Sequence, residues 1–329
     1  MNDCVPSVIN SLRPYKDGEK DRAFICFGSP ELRSLGALSL SSDYQAGVVC
    51  IIGITDEPNA DRDANLKKAR RLGKKVGKVF DIPAVHVDPL IGLDRLASII
   101  GESDSKSGVI TVDISTFPKN SLLLTLKSLE LIHGVQLIRV IYTEPKSYST
   151  SPQQGHAFGL RRTRVVPTFS APFRANRELV LVMLLGYEGD RALGIWQRIQ
   201  PHRTIVALGR PAYRSEWENF AERINAPLLS TLHSGDIHHV DPRNPWSTYD
   251  FLRDVIGKIS AESDNYFIAP LGTKPEAIGA YLFSRAFPHS ATIIYASPVD
   301  PKHQYIGQGT GTTWHLGQWS VGNGALPSQ

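Results

Sequence analysis

Short apolar runs recur along this chain, separated by segments whose apolar residues fall at helical spacing. AFICFG (23–28), VVCIIGI (48–54), IPAVHVDP (82–89), GVITVDIST (108–116) and VQLIRVIYTEP (135–145) read as strands. Between them, SPELRSLGALSLSSDY, the cationic DRDANLKKARRLGKKVGKV (61–79), the stretch around Leu93–Ile100 and FPKNSLLLTLKSLELIHG read as helices. Strands that are apolar throughout are covered on both faces, so their alternation with helices predicts a parallel α/β sheet. The pattern then restarts. LVLVMLLG (179–186) and RTIVALG (203–209) flank the helical YEGDRALGIWQRIQ, and YFIAPLGTKPEAIGAYLFS (266–284) reads as strand, tight turn and helix.

The restart is specific enough to align. Gly28, Arg33, Leu35 and Gly36 match Gly186, Arg191, Leu193 and Gly194, giving G-x4-R-x-L-G in each half. His86-Val87-Asp88-Pro89 matches His239-Val240-Asp241-Pro242, and Asp113–Lys119 (DISTFPK) falls on Pro270–Glu276 (PLGTKPE). Tyr142-Thr143-Glu144-Pro145 corresponds to Tyr295-Ala296-Ser297-Pro298. Blocks in one order at a period of about 155 residues predict an internal duplication of one Rossmann-like unit, too long a period for a solenoid. The expected division is an N-terminal arm (1–22), a first unit (23–148), a linker or hairpin (149–178), a second unit (179–303) and a tail (304–329). Two such units are expected to face each other as a pseudo-dimer with a shared cleft.

Composition narrows the classes. An apolar fraction of 41% and a charged fraction of 21% are those of an ordinary globular protein. The net charge of +4 permits an anionic ligand without suggesting a nucleic-acid coat. Cys4, Cys26 and Cys50 form no metal spacing and read as free thiols of a reducing compartment. The N-terminus has no signal-peptide core and no apolar run reaches the roughly eighteen residues of a membrane span, so a cytoplasmic protein is expected. No Walker A sequence is present, and Gly307-x-Gly309-x-Gly311 does not sit between a strand and a helix as a dinucleotide fingerprint must.

Ligands of open α/β sheets bind outside the carboxyl ends of the strands, which singles out two loops per unit. After the first strands stand Gly28, Ser29 and Arg33, and Gly186, Tyr187, Glu188 and Arg191. An arginine at a helix head needs an anion: either a neighbouring carboxylate (Glu31 or Asp190), which fixes the loop, or an anionic ligand. After the later strands stand Asp113, Ser115, Thr116 and Lys119, and Gly272, Thr273, Lys274 and Glu276. There Gly272 admits a close approach, Thr273 offers a hydroxyl and Lys274 a charge, where a helix dipole favours an anion. Asp113, Ser115 and Glu188, with Lys274, are the candidates for catalysis, with a carboxylate as general base. Asp88 and Asp241 read as helix caps with proline behind them. His233, Asp236, His238 and His239 lack the spacing of a metal site, and neither a metal nor a cofactor is expected. The basic stretch Lys67–Lys78 reads as a solvated face, or with Arg161, Arg162 and Arg164 as a nucleic-acid or acidic-partner surface.

Strand–Gly272-Thr273-Lys274–helix, paired with a polar loop after the first strand, resembles the CARF (CRISPR-associated Rossmann-fold) sensor domains. Two such units in one chain resemble the SAVED sensors of bacterial anti-phage systems. That resemblance implies a receptor for a cyclic oligonucleotide messenger that signals to a separate effector, since the chain has no room for an effector of its own. It implies that Thr273 and Lys274 contact phosphate or ribose and that the Gly186–Arg191 loop holds a base or phosphate. The first unit departs from the pattern, with Ser115-Thr116-Phe117 in place of Gly-Thr-Lys and Lys119 two residues beyond the aligned position. An enzyme acting on a nucleotide in the same cleft, and a scaffold subunit with vestigial clefts, are the alternatives.

Overall fold

In the computed structural model, residues 5–56, 58–85, 88, 90–148, 159–213, 215–257, 264–299 and 307–322 are described. The chain begins with β1 (Ser7–Val8) and β2 (Asp21–Gly28). A 3-10 turn (Leu32–Leu35) and the single-turn α1 (Gly36–Ser39) lead to β3 (Ala46–Ile54). Then come α2 (Ala60–Val76), β4 (Lys78–Ala84), α3 (Leu93–Gly101), β5 (Val109–Asp113), α4 (Lys119–Leu129), β6 (Leu137–Thr143) and β7 (Ser147–Tyr148). The second series runs β8 (Leu160–Val165), β9 (Leu179–Leu185), α5 (Gly189–Ile199), β10 (Arg203–Gly209), α6 (Ser215–Leu229), β11 (Ile237–Val240) and α7 (Pro245–Leu252). A π-turn (Arg253–Gly257), β12 (Asn265–Pro270), α8 (Lys274–Ala286) and β13 (Thr292–Pro298) complete it. The chain closes with β14 (Gly307–Gln308) and β15 (Thr313–Ser320).

Two mixed α/β units result, one of residues 1–150 with 307–329 and one of 151–306. The first has the sheet order β1-β15-β6-β5-β2-β3-β4, and the second β11-β10-β9-β12-β13-β8. In each, the five strands joined by helical connections are parallel, with the first strand between the second and the fourth. This is the doubly wound, Rossmann-like order. Burial follows from the apolar runs: Phe24, Ile25, Ile51, Ile110 and Ile138 are buried on the two faces of one sheet, Leu181, Met183, Val206, Ile268 and Ile293 on those of the other. Among the described residues no helix is long and apolar enough to cross a membrane.

The segments expected as a linker and a tail belong to the sheets. The outer edge of each fifth strand carries unpaired backbone N–H and C=O groups that another strand must satisfy. β15 pairs antiparallel with β6, and β8 pairs antiparallel with β13. Thus the strand that follows one unit in sequence completes the sheet of the other. The N-terminal arm is also used, because β1 pairs with β15. Arg161, Arg162 and Arg164 lie on β8, at the edge of its sheet, where exposed charge discourages pairing with another chain. The helix expected after β2 is reduced to two short turns. Ser39 and Ser41 there donate their hydroxyls to the carbonyls of Leu35 (2.8 Å) and Leu38 (2.6 Å), competing with a continued helix.

The first unit is tied at its amino edge by Asp21, which is buried at the start of β2. Its Oδ2 accepts from the Tyr44 hydroxyl (2.9 Å), the Thr111 hydroxyl (2.8 Å) and the Arg139 guanidinium (2.9 Å), and its Oδ1 accepts from the Tyr15 amide (2.9 Å). Removing the carboxylate takes the ion-pair partner from the largely buried Arg139 and leaves the Tyr44 and Thr111 hydroxyls without their acceptor. Asp21→Ala is therefore expected to cost about 3–5 kcal/mol of stability, read by urea denaturation. A loss below about 1 kcal/mol, the worth of a surface pair, contradicts this role.

Candidate functional site

In both units the chain leaves the first and fourth strands in opposite directions, so a crevice forms at their carboxyl ends. The loops that border it are those after β2 and β5 in one unit and after β9 and β12 in the other. Within each unit the two loops touch closely. The Thr116 hydroxyl donates to the Phe27 carbonyl (2.7 Å), and a Cβ on Gly186 would lie 2.9 Å from the Leu271 carbonyl oxygen.

The two arginines are held by the protein's own carboxylates. Arg33 is buried and forks onto Glu31, with Nε to Oε2 at 2.6 Å and Nη2 to Oε1 at 3.3 Å. Its Nη1 donates to the Tyr142 hydroxyl (3.3 Å) and the Thr143 carbonyl (3.4 Å). In the second unit Arg191 pairs with Glu188 at 2.8 Å, rather than with Asp190. Tyr295, aligned with Tyr142, interacts electrostatically with both Arg191 and Glu188, and burial pushes its hydroxyl above the usual value. A Glu–Arg pair thus recurs at the head of the first connection, with the tyrosine hydrogen-bonded to it in the first unit. A second brace was not visible in the sequence. Asn65 of α2 donates to the carbonyls of Ser29 (3.0 Å) and Pro30 (2.9 Å), and Asn225 of α6 donates to that of Gly186 (2.8 Å). A single asparagine on a helix has no pattern that announces such a clamp.

The fourth strands end differently. In the first unit Asp113 and Ser115 are both buried. Asp113 Oδ1 accepts from the Ser115 amide (3.0 Å) and from its hydroxyl, while Ser115 Oγ accepts from the Thr143 amide (2.7 Å). Asp113 Oδ2 is buried without a hydrogen-bond partner among the described residues. Burial raises the Asp113 carboxyl to about 6, against the lowering effects of Ser115 and of Arg33. Phe117 packs into the core, and Lys119 becomes the half-buried first residue of α4.

In the second unit Gly272-Thr273-Lys274 builds a capping box. Thr273 Oγ accepts from the Glu276 amide (3.3 Å) and donates to the Pro242 carbonyl (2.8 Å), while the Glu276 carboxylate accepts from the Thr273 amide. Gly272 is needed because a Cβ would strike that carboxylate at 2.1 Å. Glu276 is buried, and Pro275 lacks an N–H. The helix head is therefore already served by an internal anion. Lys274 is half-buried and is the first residue of α8, the position Lys119 holds in α4.

The other motifs have local roles. His86, Val87 and Pro89 lie outside the described residues. Neither aspartate of the repeated motif caps a helix: Asp88 accepts from the Leu90 amide (3.0 Å) and Asp241 from the Arg243 amide (2.9 Å), forming turns. The caps are Gly92 for α3 and Asn244, which accepts from the Trp246 amide, for α7. Asp236 is taken by Arg203 at 2.7 Å, and His239 is pushed below its usual value by partial burial and by Arg210.

Asp113 supplies a test with a definite sign. Its carboxyl is raised in the folded state, so folding favours the protonated form. That contribution is complete below about pH 4 and is lost as the pH rises through about 6. Asp113→Asn keeps the acceptor for Ser115 and removes the ionisation. It should raise stability at pH 8 by up to about 3 kcal/mol and change little at pH 4, read by denaturant melts at both pH values. An effect of equal size at both contradicts a carboxyl raised by burial.

No family model matches the chain, and no curated protein does. Among solved structures, a chain described as a universal stress protein from Pseudomonas aeruginosa is 11% identical, with 84% of this chain and 94% of that one covered, at a TM-score of 0.24. The cytoplasmic domain of a prokaryotic cation chloride cotransporter is 10% identical, with 87% and 98% covered, at a TM-score of 0.28. Neither likeness bears on what the chain does.

Proposed function

We propose that this chain is a binding module for a phosphate-bearing nucleotide, taken up at the carboxyl edge of its parallel sheets. The observation that carries this reading is the pair Lys119 and Lys274. Each is the half-buried first residue of the helix after a fourth strand, at the crevice where ligands of this architecture bind. A cation at a helix head opposes the dipole and is retained to best effect when an anion completes the position. Arg33 and Arg191 are paired with Glu31 and Glu188 and serve as braces, and the two lysines are the cations placed at the helix heads beside them. Thr116, Gly186, Tyr187 and Gly272 supply the surrounding surface. Like strand order and the matching Glu–Arg pairs support descent of the two units from one duplicated ancestor. The resemblance to CARF and SAVED sensors makes a cyclic oligonucleotide the first class to test and a separate effector the recipient of the signal.

A nucleotide-cleaving enzyme is favoured by one observation, the near-neutral Asp113 carboxyl in the first unit. Against it, Ser115 is buried and its hydroxyl is spent on Asp113. The experiment is a thermal-shift panel of cyclic di-, tri- and tetranucleotides, linear nucleotides and NAD, with each ligand recovered and checked for cleavage. A true ligand at a hundredfold excess over its Kd should raise the melting temperature by about 5–10 °C. Lys119→Glu and Lys274→Glu should each diminish that shift while the unliganded variant still melts cooperatively as a folded protein. Recovery of a cleaved ligand transfers the reading to the enzyme. No shift across the panel removes the nucleotide.

A further inference from the structure

The opposite edge of the second unit carries a cavity of about 170 Å³ at the amino ends of β12 and β13. The backbone of residues 171–177 forms one wall and is pinned to the sheet. Asn265, buried at the start of β12, accepts the Arg174 amide at Oδ1 (2.8 Å) and donates from Nδ2 to the carbonyls of Arg174 (2.8 Å) and Arg177 (3.2 Å). The Thr292 hydroxyl accepts from the Ala171 amide (2.9 Å). The loop is thereby ordered before anything binds, which lowers the entropy cost of recognition.

What this loop presents is cationic and aromatic. Arg174 and Arg177 line the cavity, and their guanidiniums have no ion pair or hydrogen bond among the described residues. His289 lines it from the other side with a left-handed backbone (φ 68°), a conformation that costs energy and recurs at functional positions. Asp264 adds one carboxylate to the lining, which leaves the balance positive. Phe173 is 59% exposed beside the cavity, its ring 6.4 Å from that of Phe267.

We propose that this cavity binds a small organic phosphate monoester, with the phosphate on Arg174, Arg177 and His289 and the organic body against Phe173 and Phe267. Guanidiniums match phosphate oxygens in bidentate geometry, and two of them balance a monoester's nearly two negative charges, where a carboxylate leaves one uncompensated. The volume lies below the roughly 300 Å³ at which pockets for drug-sized ligands begin, which suits a phosphate carrying a single ring. The site is distinct from the carboxyl-edge crevice and stands or falls separately.

Calorimetric titration of the full chain with phenyl phosphate, inorganic phosphate and benzoate tests it, with Arg174→Ala, Arg177→Ala and Arg198→Ala. Arg198 is exposed on α5 and does not line the cavity, so its loss reports general electrostatics only. Phenyl phosphate should bind at one site per chain and more tightly than either other probe. Each cavity arginine removed should weaken it by about tenfold, the effect of a charge-assisted hydrogen bond, with Arg198→Ala unchanged. Absence of saturable binding, benzoate as tight as phenyl phosphate, or equal losses from Arg198→Ala overturns the proposal.

Discussion

A guanidinium buried at the head of a helical connection must find its anion inside the fold, and here it does so in both units. Arg33 closes on Glu31 and Arg191 on Glu188 at the place where the chain turns out of the first strand. Desolvation makes such a pair costly to break, because either partner left alone is a buried charge. The pair therefore fixes the loop, and the loop fixes the crevice wall. Asn65 and Asn225 hold the same loops from the next helix, so the wall is braced from two directions.

The same economy governs the rest of the carboxyl edge. Glu276 takes the Thr273 amide that a phosphate takes in other folds, and Asp113 is occupied by Ser115. Lys119 and Lys274 stand half-buried at the heads of the helices that follow the fourth strands. The two units differ at the turn after the fourth strand. Phe117 aligns with Lys274 but enters the core, and the cation at the helix start is supplied two residues later. A rigid, internally neutralised frame carrying a few cations suits recognition better than turnover, which needs an accessible nucleophile or base.

Much of this was legible from the chain. The strands were, because parallel strands covered on both faces are apolar throughout, as AFICFG and LVLVMLLG are. The aligned Gly28/Gly186 and Arg33/Arg191 pointed to the loops in which the two Glu–Arg pairs sit, and Tyr142 is hydrogen-bonded to the first of them. Three things were hidden for physical reasons. β8, LRRTRV, is half-exposed along its length and has no apolar alternation to mark it as a strand. In β15 a register shift between His315 and Gly317 breaks the period of two. Whether an arginine serves a ligand or an internal carboxylate depends on side-chain direction, which spacing does not encode.

The brace is the claim on which the rest depends, and a double-mutant cycle measures it directly. Stabilities of Glu31→Gln, Arg33→Met and the double variant, from urea melts, give the coupling between the two side chains. A buried scaffold pair predicts at least about 1.5 kcal/mol of coupling, with each single variant clearly destabilised. Additive, near-neutral single variants would contradict the account, most plainly if Arg33→Met abolished nucleotide binding without loss of stability. Arg33 would then be a ligand contact, and Glu31 only its neighbour in the unliganded chain.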